Sequence, residues 1–246
     1  MILNPYNQLS DIYDYWIMGD DTHLEVLNCY LKMVKKFNPD EVVELGVGTG
    51  RIAIEIVKRY NKKVIGIDNS KNMLKKCQNK IQTHKINKEK IKLIEDNILS
   101  FYLKNPVEFI IMPFRTIGHF LNYEDQKRTI EQVYKNLKKD GIFIFDHYIF
   151  DKEWALKNSE KLIQMYANSD MIIYDKYKFD YKRQILHCQV FQNQEEIVSF
   201  DFAWINPNQM KNILQEVGFK IIEIYGDYSC NKFTNSSQEQ IWIVKK

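Results

Sequence analysis

Three glycines at alternate positions, Gly46, Gly48 and Gly50, follow a short apolar strand pattern and precede a helical one. Glycine lets the backbone turn tightly and approach a ligand without a Cβ in the way, and the first N–H groups of the helix point to the same place. Glu44 precedes the turn. A carboxylate is a poor neighbour for the pyrophosphate of a dinucleotide and a good neighbour for an ammonium group. The pattern predicts a pocket for part of a nucleotide-like cofactor.

A second acidic residue, Asp68, ends the next apolar run, about 20 residues after the glycine turn, where a ribose-binding acid belongs. Its carboxylate can accept hydrogen bonds from both ribose hydroxyls. The alternative is that Asp68 caps the following helix, which Asn69 or Ser70 can also do. Asn69 is a further candidate for the pocket. Met73, one turn later, covers an adenine face or belongs to the core.

The segment Asp96-Asn97-Ile98 follows the third apolar run. The Asp96 side chain can accept a hydrogen bond from an exocyclic amine, and the backbone can bond a ring nitrogen of adenine. An Asx turn with no ligand is the alternative interpretation.

Apolar runs alternate with helical patterns along most of the chain, which predicts a doubly wound, mainly parallel α/β sheet. The predicted strands are 42–45, 64–67, 91–94, 107–112, 142–146, 220–225 and 240–244. Residues 139–141 predict a turn into the fifth strand, and a helix is predicted to begin at Pro207 and to be capped by Gly218. Ligands of open α/β sheets lie beyond the carboxyl ends of the strands. Glu44, Asp68, Asp96 and Asp146 stand at or near such ends, so we expect them at one edge.

The helical period is lost over residues 159–204, where β-rich runs separated by turn residues predict an antiparallel insertion. We expect this insertion to be a substrate cap over the sheet, with residues 39–158 and 205–246 forming the cofactor-binding domain. Residues 1–38 are dense in aromatic residues and then helical, which predicts an N-terminal helical lid. The helix carries Leu24, Leu27, Leu31 and Val34 on one face, which we expect to be buried.

The glycine turn, Asp68, the 96–98 segment and the exit of the fourth strand together resemble the class I S-adenosylmethionine (SAM) methyltransferases. The resemblance covers residues 40–150 and implies a seven-stranded sheet whose last strand is antiparallel. It implies SAM as cofactor, S-adenosylhomocysteine (SAH) as product, and cofactor contacts from Arg51 and from Met112 at the fourth-strand exit.

The segment 112–121, Met-Pro-Phe-Arg-Thr-Ile-Gly-His-Phe-Leu, is similar to one found in small-molecule N-methyltransferases, including aminosugar N,N-dimethyltransferases. That resemblance implies Tyr13 or Tyr15 over the methyl donor and His119 beside the acceptor nitrogen. Tyr13, Tyr15 and Trp16 could close over a sulfonium or form a hydrophobic plug. His119 is the first candidate for removing the acceptor's proton or is structural, and His147 is the second.

Composition disfavours nucleic-acid-binding, metal-binding, secreted and membrane-spanning proteins. A formal net charge of +3 with scattered lysines gives no nucleic-acid footprint. The four cysteines lack metal-ligand spacing and fit reduced thiols, so we expect no metal site and a cytoplasmic protein. We also expect no secretory signal and no membrane span.

We therefore expect a small-molecule methyltransferase, monomeric or homodimeric, that acts on an amine nitrogen. The alternatives are an RNA or protein methyltransferase and a SAM-binding regulatory protein without chemistry. The segment after the fourth strand lacks the paired prolines that nucleic-acid amino methyltransferases use to stack a flipped base.

Overall fold

The structure is a computed structural model that describes residues 4–246. Its helices there are α1 (Pro5–Leu9), α2 (Tyr13–Trp16), α3 (His23–Phe37), α4 (Arg51–Tyr60), α5 (Lys71–Thr83), α6 (Tyr123–Asn136), α7 (Lys152–Asn158) and α8 (Pro207–Val217). Its strands are β1 (Glu41–Leu45), β2 (Lys63–Asp68), β3 (Ile91–Glu95), β4 (Val107–Met112), β5 (Leu137–Tyr148), β6 (Leu162–Ala167), β7 (Ile172–Asp180), β8 (Ile185–Gln192), β9 (Glu195–Ala203), β10 (Lys220–Tyr225) and β11 (Glu239–Lys245).

The main sheet has seven strands in the order β10-β11-β5-β4-β1-β2-β3. The five strands from β5 to β3 are parallel, and β11 is antiparallel to both β5 and β10. The prediction of a doubly wound, seven-stranded, mainly parallel sheet with an antiparallel last strand is confirmed. Strand order reverses beside β1, which is where ligands of such sheets bind.

Alternate residues of the central strands pack on opposite faces of the sheet. Val42 and Ile111 join the apolar residues of α3, α4 and α5 in one core. Val43 and Ile110 join those of α6 and α8 in the other core. This period-2 division is the reason that the central strands are apolar on both sides.

The insertion forms a separate four-stranded antiparallel sheet in the order β6-β7-β8-β9. Its apolar face packs against the first two helices, with Leu9 and Ile12 in the same cluster as Ile173 and Val190. The predicted antiparallel β cap is confirmed as a sheet. The N-terminal helices therefore lie between this cap and the main sheet.

Local details differ from the sequence-based expectations. Leu31 and Val34 of the expected face of α3 are buried, whereas Leu24 in its first turn is 57% exposed. Strand β5 begins five residues earlier than expected, at Leu137, since a register shift against β4 accommodates the expected turn at 139–141. The short helix α7 was not predicted. Of the expected lid, residues 1–3 lie outside the described residues.

Candidate active site

A cavity of about 840 Å³ opens at the carboxyl ends of β1, β2 and β4. Its floor is the glycine turn, and its other walls come from α1, α2 and the cap sheet. A cavity in this size range can hold a ligand of drug size. The main sheet, the N-terminal helices and the cap therefore all contribute side chains to one site.

Glu44 is buried at the end of β1 and faces this cavity. Its Oε2 atom accepts no hydrogen bond from any residue that the structure describes. Burial raises the pKa of Glu44 to about 8, although the nearby Arg51 guanidinium opposes that shift. A buried carboxylate oxygen without a partner is costly, and a ligand ammonium would supply the missing partner.

Arg51 lines the same wall and is fixed in place. It donates a hydrogen bond of 2.8 Å to the His23 carbonyl, and its guanidinium lies 5.2 Å from the centre of the Phe114 ring. Glu44 and Arg51 together offer one anion and one cation, which is the complement of the amino acid end of SAM.

The glycine turn has left-handed backbone at all three glycines, with φ of 73° at Gly46, 53° at Gly48 and 82° at Gly50. A Cβ added at Gly48 would meet no protein atom closer than 4.0 Å, so it would project into the cavity. A Cβ at Gly46 or Gly50 would instead collide with Thr116 or Cys77. Gly48 is therefore the position at which the backbone leaves room for a ligand.

Asp68 faces the cavity from the end of β2 and also braces the turn. Its Oδ2 accepts from the Gly48 N–H and its Oδ1 from the Ser70 N–H, both at 2.8 Å. Burial raises its pKa above the ordinary value for aspartate. The cap of α5 is Ser70, whose hydroxyl accepts from the Met73 N–H, so Asp68 keeps lone pairs for a ligand.

Most of the residues predicted for the site do line the cavity. These are Tyr13, Glu44, Gly46, Gly48, Arg51, Asp68, Asn69, Met73, Asn97, Ile98 and His119. They come from five separate segments of the chain: the parallel sheet brings four of them to one edge, and the N-terminal helices add Tyr13.

Four predicted residues are not brought to the cavity. Tyr15 is 43% exposed with its ring 5.1 Å from that of Tyr166. Asp96 does not line the cavity, and its Oδ1 accepts from the adjacent Asn97 N–H at 2.7 Å. The Asx turn of this segment is made by Asn97, whose Oδ1 accepts from the Leu99 N–H at 2.9 Å. Met112 is fully buried in the core with α6 and α8, and Gly50 packs against α5.

Asp146 lies beneath the cavity and holds the loop after β4. It is fully buried and accepts from the Phe114 N–H at 2.8 Å, the Arg115 N–H at 2.9 Å and the Tyr228 hydroxyl at 2.9 Å, as well as from the Tyr30 hydroxyl. Phe114 and Arg115 have left-handed backbone, with φ of 58° and 61°. The hydrogen bonds to Asp146 offset the cost of that conformation.

Arg115 lines the cavity and is tied to two acids. It forms ion pairs of 2.6 Å with both Asp20 and Glu239. The guanidinium holds the pKa of Asp20 below its usual range against the opposing effect of burial. Burial raises the pKa of Glu239 to about 7 despite the same pairing. Arg115 therefore joins the loop to the lid and to β11.

His119 faces the cavity and contacts the N-terminal lid. Its Nε2 lies 2.8 Å from the Tyr6 hydroxyl, and its ring packs edge-on against Phe202 at 4.8 Å between centroids. Burial lowers the pKa of His119 to about 4, so the ring is neutral at pH 7. His147, the second histidine candidate, does not line the cavity, and its burial lowers its pKa to about 3.

Several polar contacts tie the lid over the glycine turn. Asn4 bonds Asn69 at 2.7 Å, and the Ser70 hydroxyl donates to the Asn7 side chain at 2.8 Å. Asp14 forms an ion pair of 2.6 Å with Lys80 on α5. These contacts close the site from bulk water on the side of β2.

Tyr6 and Asp175 are among the cavity residues that sequence reasoning missed. Tyr6 belongs to the aromatic-rich start of the chain, but its partner His119 is remote in sequence. Asp175 shares a strand face with Ile173 and Tyr177. An acid on the apolar face of an alternating strand is the signal that would have identified it.

The part of the chain that the structure describes holds neither a cluster of metal ligands nor a membrane-spanning helix. Over residues 4–246, no group of three or more His, Cys, Asp and Glu side chains is arranged to hold a metal ion. Over the same range, no helix combines the length and the apolar character needed to cross a membrane.

Comparison with known proteins places this geometry in context. Residues 42–141 match the family model of a methyltransferase domain. The chain is 29% identical over 205 residues to the carboxy-S-adenosyl-L-methionine synthase of Nautilia profundicola, an alignment that covers 81% of this chain and 79% of that protein.

Solved structures share the fold over nearly the whole chain. The CcbJ methyltransferase from Streptomyces caelestis superimposes with a TM-score of 0.81 at 18% identity, covering 98% of this chain and 97% of that one. A sugar N-methyltransferase from a Streptoalloteichus species gives a TM-score of 0.70 at 11% identity, covering 94% and 92%.

The sheet order and the glycine turn define the class I methyltransferase fold, and residues 42–141 carry its methyltransferase domain. This chain is a SAM-dependent methyltransferase, and the prediction of SAM as its cofactor is confirmed.

Proposed function

We propose that this enzyme transfers a methyl group to the nitrogen of a small amine. The observation that carries the proposal is the part of the cavity wall that the lid and the cap form, which combines the carboxylate of Asp175 with aromatic rings. Carboxylates and ring faces both favour a positively charged ligand.

The two ends of the cavity have different tasks in this proposal. Glu44 binds the ammonium of SAM, Arg51 its carboxylate and Asp68 its ribose hydroxyls, while Asn97 and Ile98 contact the adenine. Bound SAM supplies a methyl group on a positively charged sulfur. The lid and the cap hold the acceptor nitrogen in line with that group and exclude water, and such orientation can contribute roughly 7–11 kcal/mol.

His119 best serves as an orienting group for the acceptor. Its neutral ring can accept a hydrogen bond, and Tyr6 fixes its position at 2.8 Å. A pKa of about 4 makes it a weak base at pH 7, so an acceptor that binds as an ammonium would pass its proton to water or to another group of the site before its nitrogen attacks.

A second candidate function is the synthesis of carboxy-SAM, which the 29% identity with the Nautilia synthase favours. This activity would require the cavity to accommodate a further carboxylate. Arg115 lines the cavity and could bind such a carboxylate, but its guanidinium is already paired with Asp20 and Glu239. The charges of the cavity therefore support amine methylation more strongly.

The remaining alternatives have less support. The volume of about 840 Å³ leaves room for an acceptor beside SAM, whereas a SAM-binding regulatory protein would not need that room. A cleft of this volume, bounded by the main sheet, the lid and the cap, suits a small molecule better than an RNA or a protein segment. A small-molecule partner, a monomeric or homodimeric state and a cytoplasmic location remain predictions.

The test is incubation of the purified protein with SAM and panels of small amines, alcohols and carboxylic acids, with SAH and new products followed by mass spectrometry. SAH release together with an amine heavier by one methyl group supports the proposal. Formation of an adenosyl compound heavier by one carboxyl substituent would favour the second candidate. SAM binding without any turnover would reject both.

A further inference from the structure

Asp175 is a fully buried carboxylate on the inner face of the cap, and it lines the cavity. Its Oδ1 accepts from the indole N–H of Trp16 at 2.7 Å, and its Oδ2 accepts from the Tyr177 hydroxyl at 2.5 Å. These two neutral donors fix the orientation of the carboxylate and occupy one lone pair on each oxygen. Each oxygen keeps a second lone pair.

Four aromatic side chains of the cavity wall stand next to this carboxylate. Tyr6, Tyr13, Trp16 and Phe200 form a closed ring in which each ring centroid lies 5.7–6.3 Å from the next. Three of them come from the lid and Phe200 comes from β9. Aromatic walls of this kind bind ammonium groups through their ring faces.

The charge at Asp175 has no cationic partner within the described residues, where no Lys, Arg or His forms an ion pair with it. Burial raises its pKa to about 6, which leaves it mostly ionised at pH 7.5. Burying an unpaired charge is costly. A cationic ligand is the partner that this arrangement lacks.

The carboxylate belongs to the acceptor side of the cavity. Glu44 and Asp68 lie at the ends of β1 and β2, whereas Asp175 lies on β7 of the cap sheet. Tyr13 and Tyr6 line the cavity near both groups. Burial is the main cause that raises the pKa of both hydroxyls, and smaller contributions come from Asp68 and Glu44 for Tyr13 and from Asp68 and Asp175 for Tyr6. The two acidic ends therefore serve different parts of the bound molecules.

We propose that Asp175 and the aromatic ring of Tyr6, Tyr13, Trp16 and Phe200 form a subsite for the ammonium group of the acceptor. Asp175 is then the residue that selects amines over neutral acceptors of the same shape. This inference rests on the proposed function, because it assigns the acceptor of the same site.

The test compares two probes of similar shape, benzylamine and benzyl alcohol, by calorimetric titration of the full-length protein saturated with SAH at pH 7.5. Asp175→Asn keeps the size of the side chain and removes its charge. We expect it to weaken benzylamine binding at least about tenfold, the size of a hydrogen-bonded charge contact. We expect benzyl alcohol and SAM to change less than about twofold.

Asp180→Asn is the matched control, because Asp180 lies on the same strand, exposed and with its carboxylate bonded to the turn that follows. It should leave both probes unchanged. If Asp175→Asn leaves benzylamine affinity intact, the subsite is rejected. If it weakens SAM but not SAH, Asp175 serves the sulfonium, and the proposal is also rejected.

Asp175→Asn also changes two hydrogen bonds, so it could impair folding. Phe200→Leu retains apolar bulk at the ring and provides a second variant. We expect it to weaken tetramethylammonium binding at least fivefold, the size of a desolvated cation–π contact. If Phe200→Leu binds tetramethylammonium as tightly as the wild type, the aromatic ring does not contribute to the subsite.

These experiments distinguish a failure of the proposed ammonium subsite from a failure of the proposed function. Benzylamine binding that depends on Asp175, in a protein that methylates no amine, would retain the subsite and reject the function. Amine methylation with benzylamine binding independent of Asp175 would retain the function and reject the subsite.

Discussion

Glu44 shows how one residue can favour ligand binding at the expense of stability. Its carboxylate is buried with one oxygen lacking a partner among the described residues, and its pKa is raised to about 8. The unfolded chain ionises Glu44 near its ordinary pKa. The folded, empty protein therefore holds this proton more tightly, and the stability associated with Glu44 is lost as pH rises through about 8.

We predict that Glu44→Gln weakens SAM binding and raises the melting temperature of the empty protein at pH 8.5. The amide cannot pair with an ammonium, but it avoids the cost of a buried charge. Calorimetry at pH 7 in two buffers of different ionisation enthalpy should show that SAM binding to the wild type releases a proton. The variant should not release it, and equal proton release in both proteins would contradict the assignment.

We predict that His119→Ala lowers the methylation rate by at least about tenfold and changes SAM affinity less than about twofold. His119 contacts Tyr6 of the lid and Phe202 of the cap, the two elements that hold the acceptor in the proposed function. Steady-state kinetics and titration with SAM measure the two quantities. The exposed His84 offers a control, and unchanged kinetics of His119→Ala would assign the residue a structural role.

At the scale of elements, the turn between β1 and α4 provides the space for the ligand. Gly48 needs both its left-handed backbone and its missing Cβ, because that atom would project into the cavity. Asp68 fixes the same turn from the end of β2 by accepting the Gly48 N–H. The two strands are parallel neighbours, which explains how residues 20 positions apart share one task.

We predict that Gly48→Val and Asp68→Ala each abolish or greatly weaken SAM binding. Valine strains a left-handed backbone and fills the ligand space, and alanine removes both the brace and the ribose acceptor. Gly48→Ala is the graded control and should have an intermediate effect. Calorimetric titrations measure the affinities, and wild-type binding by Gly48→Val would place the cofactor elsewhere.

At the scale of the whole molecule, three layers enclose one cavity: the main sheet, the lid and the cap. Asn4 and Asp14 tie the lid to the main domain, and Trp16 ties it to Asp175 of the cap. A ligand that contacts all three layers should hold them together, so its binding energy adds to the stability of the folded chain.

We predict that SAM at 100 times its Kd raises the melting temperature by roughly 5–10 °C. Such an excess adds about 2.7 kcal/mol, and a chain of this size gains about 2–4 °C per kcal/mol. Thermal unfolding with and without SAM measures the shift. Gly48→Val should show none, and a wild type without a shift would argue against cofactor binding in this cavity.

The sequence predicted the framework of the fold well, because its signals are local. Apolar runs in β1, β4 and β10, the proline and glycine that bound α8, and the serine cap of α5 act over a few residues each. Boundaries failed where tertiary contacts decide them. β5 extends to Leu137 because that residue pairs with Val107 of β4. Leu24 is exposed although Leu31 and Val34 of the same predicted face are buried.

The sequence by itself determined the class of this protein, since a glycine turn with acids at the ends of parallel strands can be placed at one sheet edge without further knowledge. Only the tertiary structure decided which side chains share the cavity. It brought Tyr6 to His119 and Trp16 to Asp175, and it left Tyr15 and Asp96 outside. These pairs join the lid to the 116–119 turn and to the cap across more than 100 residues, and no local pattern records the packing of such remote segments.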